Sequence, residues 1–252
     1  MWSEKQAAEI FHLLFLRAFG ARVDKALYAL KGGGNLRFFH KSIRYSEDID
    51  LDVRTMSVET MRNHVNRVLE AQPFLQTLRA QQIEIASFTA PKQTDTTQRW
   101  KIQLRVGATG TAVPTKIDFS RRGLDEGLVY EPVEAEIIRR YRLYPVFIQH
   151  YTMETAFRQK INALASRKQT QSRDVFDLKL LLDAGAGKEP LPEQIRELLP
   201  QAIECAMAVG YDAFVGQVFA YLEPEHQEYY RDRHVWEALQ EEVVDALGAL
   251  RS

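Results

Sequence analysis

The sequence predicts an α+β fold in which a mixed α/β domain, residues 1–150, precedes an all-helical domain, residues 151–252. Two observations lead to this prediction. Short runs of alternating polar and apolar residues, the pattern of half-buried strands, are concentrated before residue 150. After residue 150, apolar residues recur at helical spacing and strand signals disappear. The two halves could still share one core, because the boundary is inferred only from the change in pattern.

The first helix is predicted to run to about Gly20, because Ser3 is a suitable N-cap and Gln6 completes a capping box. Another helix is predicted to start after the N-cap Ser57 and to stop before Pro73. Further strands are predicted at about residues 27–30, 82–89, 99–106, 113–120 and 144–148. Further helices are predicted at about residues 35–40, 153–166, 173–184, 192–209, 211–222 and 235–250.

Composition favours an ordinary folded protein and excludes several functional classes. The chain has 252 residues, of which 45% are hydrophobic and 27% are charged, enough to bury a substantial core. Its net charge of −1 gives no overall basic field, so contact with RNA would require a local basic patch. Cys205 is the only cysteine, which excludes an intrachain disulfide and a zinc site of paired thiols.

The N-terminal segment is predicted to be a docked amphipathic helix and not a signal peptide. Glu4 and Glu9 interrupt its apolar residues, and no small-residue cleavage site follows. No apolar run approaches the length needed to span a bilayer. We therefore expect a cytoplasmic protein without a membrane partner.

One stretch, KGGGNLRFFHKSIRYSEDIDLDV at residues 31–53, carries the main functional signal. In an extended strand Asp48, Asp50 and Asp52 share one face, and the apolar residues between them point to the core. Like charges on one strand face repel each other, so a cation between the carboxylates would stabilise the arrangement. Carboxylate oxygens are the ligands that Mg²⁺, or Mn²⁺, prefers.

A run of glycines precedes this acidic strand. Gly32, Gly33 and Gly34 predict a turn whose backbone N–H groups can approach a phosphate closely. A plain turn would explain the glycines alone, and a solvated surface would explain the acidic run alone. Their combination favours a phosphate-binding turn that faces a metal site.

The stretch resembles the nucleotidyltransferase superfamily, whose signature is a Gly-Gly or Gly-Ser turn followed by Asp-x-Asp. More narrowly, the order Gly-Gly, Leu36-Arg37, Arg44-x-Ser46-x-Asp48-Ile49-Asp50-Leu51 is similar to the AbiEii/AbiGii toxin nucleotidyltransferases, which include the MenT toxins. Gly34 and Asn35 depart from the Thr-Ala or Thr-x common in that family. The resemblance implies a nucleotidyltransferase-like N-terminal domain and a helical domain that completes the nucleotide site.

A third metal ligand and a phosphate contact are predicted nearby. Asp118 lies in the alternating run Lys116-Ile117-Asp118-Phe119, and the resembled family has an Asp in such a strand. The alternative is an edge-strand carboxylate that faces water. Ser46 is predicted to share the strand face of Asp48, where its hydroxyl could bind a phosphate or a metal-bound water, or could simply open the strand. We therefore predict Asp48, Asp50 and Asp118 as catalytic metal ligands, and Gly32, Gly33 and Ser46 as nucleotide-binding residues.

The resemblance extends to a second block. In the resembled family a Glu-x5-Lys-x2-Ala helix precedes an Arg-Asp-x2-Asp helix, and both turn toward the nucleotide. The matching residues here are Glu154, Lys160, Ala163, Arg167, Arg173, Asp174 and Asp177. The resemblance implies that Lys160 binds the triphosphate and that Asp174 positions this lysine or acts as a base. Arg173 and Asp177 would then help to bind the nucleotide. Asp174 also opens a helix, and favourable interaction with the helix dipole explains it without catalysis.

The densest local basic run consists of Arg139, Arg140 and Arg142, with Tyr141 and Tyr144 interleaved. Such a run suits a nucleic-acid backbone, so we predict these arginines as RNA-binding residues. A solvated loop of arginines is an equally good explanation.

The sequence thus predicts an Mg²⁺-dependent nucleotidyltransferase that transfers a nucleoside monophosphate from an NTP to an RNA end, with tRNA as the expected acceptor. The resemblance implies the toxin of a toxin–antitoxin or phage-defence system, with an AbiEi-like antitoxin encoded nearby. Two alternatives remain open: an NTP-binding module that acts through a protein partner, and a protein nucleotidyltransferase with the same metal chemistry. The presence of Asp-x-Asp, Lys160 and Asp174 favours transfer over binding alone.

Overall fold

The computed structural model describes residues 2–107 and 110–251, which form two compact units. The first unit contains the chain up to Phe39 together with Tyr45–Tyr151. The second unit contains the short segment His40–Arg44 together with the chain from Thr152 onward. The predicted α+β fold class is confirmed, since the strands lie in the first unit and the second consists of helices.

The first unit is built on a seven-stranded sheet with the strand order β3-β4-β5-β2-β1-β7-β6. Its strands are β1 (Tyr28–Lys31), β2 (Ile49–Val53), β3 (Ile83–Gln93), β4 (Thr97–Val106), β5 (Thr111–Ser120), β6 (Leu128–Pro132) and β7 (Phe147–Tyr151). At the centre, β2 is antiparallel to β1 and parallel to β5. The acidic strand β2 therefore lies between two partners, and its residue Asp50 is directly opposite Asp118 of β5.

Helices of the first unit form one hydrophobic core with this sheet. They are α1 (Glu4–Gly20), α2 (Gly32–Phe39), α3 (Val58–Leu69), α4 (Gln72–Ala80) and α5 (Ala135–Arg140). Helix α1 begins with the predicted capping box of Ser3 and Gln6. Phe19 of α1 packs against Phe119 of β5. Trp100 of β4 donates a hydrogen bond to Asn66 of α3. The apolar face of the sheet is thus buried under α1, α3 and α4.

Several local predictions differ from the structure. The glycines do not form a separate turn: helix α2 begins at Gly32, directly after β1, and of these glycines Gly32 has a positive φ of 64°. Pro73 does not merely stop α3 but lies in the first turn of the new helix α4, where its missing N–H costs no helical hydrogen bond. Strand β6 and helix α5 were not predicted, and β7 begins at Phe147, later than expected.

The second unit contains α6 (Met153–Ser166), α7 (Ser172–Asp183), α8 (Glu193–Arg196), α9 (Leu199–Met207), α10 (Tyr211–Gln217), α11 (Pro224–Tyr230) and α12 (Arg233–Ala249). Helices α6, α7, α9 and α12 pack against one another. The ring of Phe214 stacks on Trp236, with centroids 4.6 Å apart. Segment 40–44 joins this unit through a hydrogen bond from the backbone N–H of Glu223 to the carbonyl of Ile43.

No single helix in the described ranges is long and apolar enough to cross a bilayer. The segments Glu193–Met207 and Tyr211–Tyr221 together reach that length and composition, but they are bent by 95° relative to each other.

Candidate active site

Three carboxylates lie along the centre of the sheet in the first unit. Asp50 of β2 and Asp118 of β5 are directly opposite on parallel strands, so their Cα atoms are separated by about one strand spacing of roughly 4.8 Å. The alternating pattern predicted Asp48 within the strand, but Asp48 lies just before the start of β2. The sheet therefore brings together all three residues that were predicted as metal ligands.

Asp48 is half-buried, and only one of its two carboxylate oxygens has a partner. Its Oδ2 atom forms an ion pair with Lys116 Nζ at 2.7 Å. Its buried Oδ1 atom accepts no hydrogen bond from any described residue. Burial raises the pKa of Asp48 to about 6, and the hydrogen bond and charge of Lys116 oppose this rise. An orphaned carboxylate oxygen at such a position is costly unless a cation or a hydrogen-bond donor reaches it.

Asp118 is held by the guanidinium of Arg99 on the neighbouring strand β4. Arg99 Nε donates to Asp118 Oδ1 at 2.6 Å, and its Nη2 donates to Oδ2 at 2.8 Å. The alternative of a carboxylate that faces only water therefore does not describe Asp118, whose side chain is 17% exposed. The Arg99 side chain is 38% exposed, so it can move into solvent at modest cost.

The backbone of Gly32 lies close to the carboxylate of Asp50, so a side chain at this position would be strained. A Cβ added at Gly32 would lie 2.8 Å from Asp50 Oδ2, closer than a real contact allows. The positive φ of Gly32 also disfavours a side chain at this position. The N-terminus of α2 thus lies beside Asp50 of the acidic strand. The first N–H groups of a helix have no intrahelical partner, and together with the helix dipole they suit an anion.

The third acid of the predicted cluster, Asp52, has a structural role. It is buried, receives Lys31 Nζ at 2.5 Å and accepts a hydrogen bond from the Tyr151 hydroxyl at 3.0 Å. Both carboxylate oxygens are therefore occupied by partners of the sheet. Asp52 therefore differs from Asp48, whose Oδ1 accepts no hydrogen bond from any described residue.

Hydrogen bonds fix the backbone beside Asp48. The Ser46 hydroxyl donates to the carbonyl of Asp48 at 2.9 Å and does not share a strand face with it, because both residues precede β2. The Thr115 hydroxyl donates to the carbonyl of Glu47 at 2.9 Å and lies 2.7 Å from His12 Nε2. Since the Thr115 proton is used, His12 must donate from Nε2. Burial lowers the pKa of His12 to about 3, so this histidine is neutral.

The second unit contains its own buried charge network. Lys160 Nζ lies 2.9 Å from Asp174 Oδ1 and 2.5 Å from Asp177 Oδ2. Arg44 binds Asp177, and Arg167 Nε approaches Asp174 Oδ2 at 2.9 Å. Burial alone would raise the pKa of Asp177, but the charges of Arg44 and Lys160 outweigh it and hold the pKa at about 2.

Predicted residues of the second block are thus distributed within this unit. Lys160, Asp174 and Asp177 form one cluster, with Asp174 and Asp177 fully buried. Arg173 is half-buried at the start of α7. Glu154 instead accepts a hydrogen bond from the backbone N–H of Gly187 at 3.1 Å.

The arginines predicted to bind RNA lie in and just after α5 of the first unit. Arg139 and Arg142 are exposed, and Arg140 forms a 3.6 Å ion pair with Glu136. Helix α5 lies between β6 and β7 in the chain, and these strands are at the end of the sheet opposite to β3 and β4. The RNA-binding role of these arginines remains a prediction.

Comparison with known proteins gives a family. The model of the nucleotidyl transferase AbiEii toxins of type IV toxin–antitoxin systems matches residues 14–250. The chain belongs to the AbiEii nucleotidyltransferase toxin family. The resemblance based on the glycine and Asp-x-Asp motifs is thereby confirmed. Family membership implies a nucleotide substrate and an antitoxin partner.

Solved structures with the same fold agree with this assignment. JHP933 from Helicobacter pylori is 17% identical with a TM-score of 0.62, over 98% of this chain and 92% of that one. MenT4, a nucleotidyltransferase toxin from Mycobacterium tuberculosis H37Rv, is 17% identical with a TM-score of 0.56, over 98% of this chain and 92% of that one. At this identity the likeness shows a shared fold. No curated protein sequence matches the chain significantly.

The aspartates of this AbiEii protein fit a hard divalent cation. Their donors are carboxylate oxygens, and one of these oxygens, Oδ1 of Asp48, is buried without a hydrogen-bond partner among the described residues. Lys116 and Arg99 now hold two of the carboxylates, and their side chains are 36% and 38% exposed. A metal would therefore have to displace two partly exposed basic groups. Within the described residues, three ligand atoms within 4.8 Å of one another occur instead at Glu223, Glu225 and His226.

Sequence reasoning missed the basic partners of the AbiEii carboxylates. Lys116 gave a signal, since it lies on the same strand face as Asp118 in the alternating pattern of β5. Arg99 gave none, because its contact with Asp118 depends on the register between β4 and β5. The role of His12 was also hidden, because its partner Thr115 is distant in sequence.

Proposed function

We propose that this AbiEii toxin transfers a nucleoside monophosphate from an NTP to the end of an RNA, with tRNA as the acceptor. Mg²⁺ or Mn²⁺ would be bound by Asp48, Asp50 and Asp118. The observation that carries the proposal is the pairing of Asp50 with Asp118 on parallel strands, next to the unpartnered oxygen of Asp48. This group lies beside the N-terminus of α2, because the backbone of Gly32 closely approaches Asp50, and the first N–H groups of a helix would bind an anion.

In the proposed reaction one bond to the α-phosphorus forms and another breaks. A terminal RNA hydroxyl oxygen forms a bond to the α-phosphorus of the NTP, and the bond from that phosphorus to the oxygen bridging to the β-phosphate breaks. Pyrophosphate leaves with the electron pair, and the hydroxyl proton passes to water. A divalent cation held by Asp48, Asp50 and Asp118 would supply charge stabilisation at the attacking and leaving oxygens.

Residues of the chain would hold the reacting groups in place. The N–H groups at Gly32 and Gly33 would bind phosphate oxygens of the NTP, since the first N–H groups of a helix have no intrahelical partner. The Ser46 hydroxyl would keep the backbone of Asp48 in position through its hydrogen bond to the carbonyl. The neutral His12 would do the same for Glu47 through Thr115.

For the second block the proposal rests on the family motif. Lys160 would contribute positive charge to the triphosphate, with Arg173 as a further nucleotide contact. Asp174 would hold Lys160, which it already binds at 2.9 Å. Asp177 would maintain the network through Arg44 and Lys160. Kinetics separate these roles, because loss of a ground-state phosphate contact raises KM, whereas loss of an orienting group lowers kcat.

The biological proposal follows from the family. The chain would act in the cytoplasm as a growth-inhibiting toxin, with an AbiEi-like antitoxin encoded nearby and a role in phage defence. Two other activities use the same site: NTP binding without transfer, and transfer to a protein. They differ from the proposed reaction in where a labelled nucleotide is found.

The decisive experiment incubates the purified protein with each α-labelled NTP, total RNA and Mg²⁺. We expect labelled RNA with wild type, and none with Asp48→Asn, Asp50→Asn or EDTA. Asp95→Asn is the matched control, because Asp95 is an exposed acid in the connection between β3 and β4. Label that stays on the free nucleotide indicates a binding module, and label on protein indicates a protein acceptor. Either result refutes transfer to RNA.

A further inference from the structure

A polar cleft lies on the sheet face opposite to α1, α3 and α4, beside the candidate metal ligands. It encloses about 510 Å³, within the range of ligand pockets, and its lining includes Asp48 itself. Along β4, Trp100, Ile102 and Leu104 are buried under the helices, whereas Arg99, Lys101 and Gln103 alternate onto the cleft face. The cleft is therefore formed by the polar face of β3, β4 and β5.

The strand register arranges the lining residues in rows. Thr89, Lys101 and Lys116 are successive cross-strand partners on β3, β4 and β5. The next row along these strands contains Arg99 and Asp118. Asp50 of β2 extends that row, because it is directly opposite Asp118. Lys101 is thus two strand spacings, roughly 10 Å, from the strand that carries Asp50.

Three basic and two acidic side chains line the cleft: Arg99, Lys101 and Lys116, with Glu47 and Asp48. Lys116 is paired with Asp48, and Arg99 is paired with Asp118. Lys101 is exposed and forms no ion pair with another described residue, and it is directly opposite Lys116. Two like charges directly opposite in a sheet are destabilising. A polyanion in the cleft would relieve this repulsion.

The other lining side chains show how such a polyanion would be bound. Ser87 and Thr89 offer hydroxyl groups, and Gln103 offers an amide, all suited to sugar and phosphate oxygens. None of the lining side chains, which all belong to the described residues, is aromatic. Base stacking, the usual source of tight contact with single-stranded bases, therefore has no platform here.

We propose that the acceptor strand of the RNA lies in this cleft, with a backbone phosphate on Lys101 and the reacting end directed toward Asp48. The inference rests on the proposed transfer to RNA and names the surface that holds the acceptor. Contact is with phosphate and sugar, so the cleft is tolerant of the sequence next to the reacting end. It also differs from the earlier prediction that Arg139, Arg140 and Arg142 hold the RNA.

The test measures binding of a fluorescently labelled RNA hairpin with a single-stranded end across a salt series. We expect Lys101→Gln to lower the salt slope by about 0.7, so that the loss of affinity between 50 and 200 mM salt shrinks by about a factor of three. Arg62→Gln is the charge-matched control, since Arg62 is exposed on α3 at the covered face. A parallel variant replaces Arg139, Arg140 and Arg142 by Gln. Lys116 and Arg99 are left intact because they contact metal ligands.

Each outcome decides the inference. Lys101→Gln should lower the slope equally for hairpins ending in uridines and in adenosines, and should raise the RNA KM while the NTP KM stays constant. The inference is overturned if the slope is unchanged, if only the triple arginine variant lowers it, or if Lys101→Gln raises the NTP KM alone. It also fails if wild type binds no RNA. If the hairpin binds through Lys101 but no nucleotide is transferred, the cleft is confirmed as an RNA-binding surface and the proposed transfer to RNA is refuted.

Discussion

Arg44 and Asp177 form a buried, two-pronged ion pair, with Nε donating to Oδ1 at 2.7 Å and Nη2 donating to Oδ2 at 2.6 Å. The two residues are 133 positions apart, and both belong to the helical unit. Lys160 reaches the same carboxylate at 2.5 Å. One buried carboxylate therefore contacts two buried cations, while Asp174 supplies a second negative charge to Lys160. The pair of Arg44 and Asp177 fixes segment 40–44 to α7 within this unit.

Asp177→Ala should strongly destabilise the helical unit. The substitution leaves Arg44 and Lys160 buried with less compensation, which typically costs about 3–5 kcal/mol. Asp183→Ala is the matched control on the same helix, because its partner Lys179 forms an exposed pair worth at most about 1 kcal/mol. Urea unfolding at pH 7 measures both. Equal midpoints for the two variants would contradict a structural role of Asp177.

Asp48→Asn should stabilise the fold above pH 6 in EDTA while abolishing transfer. Burial raises the pKa of Asp48 to about 6, so the folded state keeps the proton that the unfolded state has lost. Wild-type stability therefore falls as pH rises from about 4 to about 6, by on the order of 1–2 kcal/mol. Asn does not titrate, so the variant lacks this pH-dependent loss of stability. The difference in stability between variant and wild type should therefore vanish below pH 4. Thermal melts across pH measure it; a less stable variant at pH 8 would argue against the burial penalty.

Lys116→Gln should tighten metal binding. In the wild type the ammonium group occupies Asp48 Oδ2 at 2.7 Å and must be displaced by an incoming cation. Partly exposed ion pairs are worth up to about 1 kcal/mol, so the Kd for Mn²⁺ should fall two- to fivefold. Isothermal titration without nucleotide measures this affinity. Lys101→Gln serves as control, since Lys101 contacts no metal ligand among the described residues, and an equal gain there would indicate a general field effect.

His12→Gln should make the protein more resistant to acid. The folded-state pKa of His12 is about 3 because of burial, so the unfolded state binds a proton that the folded state does not. Stability is lost as pH falls below the unfolded value near 6.5, by about 2 kcal/mol at pH 5. The Gln amide can still donate to Thr115, so the variant should keep the hydrogen bond without this loss. Unfolding at pH 7 and pH 5 tests it, with the exposed His234→Gln as control. The same acid loss in His12→Gln as in wild type would refute this explanation.

Local patterns predicted much of the fold. The capping box of Ser3 and Gln6 located the start of α1, and the 3.6-residue spacing of apolar residues predicted α6 within its observed bounds, Met153–Ser166. Helix α4 was missed because Pro73 was interpreted as a stop, although proline is equally suited to a first helical turn. Strand β6 was missed because most of its residues are exposed, so it has no strong apolar alternation.

The sequence by itself determined the chemical elements of the site. Asp-x-Asp on a strand, glycines before it and Asp118 in an alternating run are all local signals, because side-chain direction follows from strand periodicity. Tertiary structure decided what each group contacts. The parallel register places Asp50 opposite Asp118, and packing assigns Lys116 to Asp48, Arg99 to Asp118 and Arg44 to Asp177. These partners are separated by long stretches of chain, and the protonation of Asp48 and His12 depends on burial, which only the packed molecule defines.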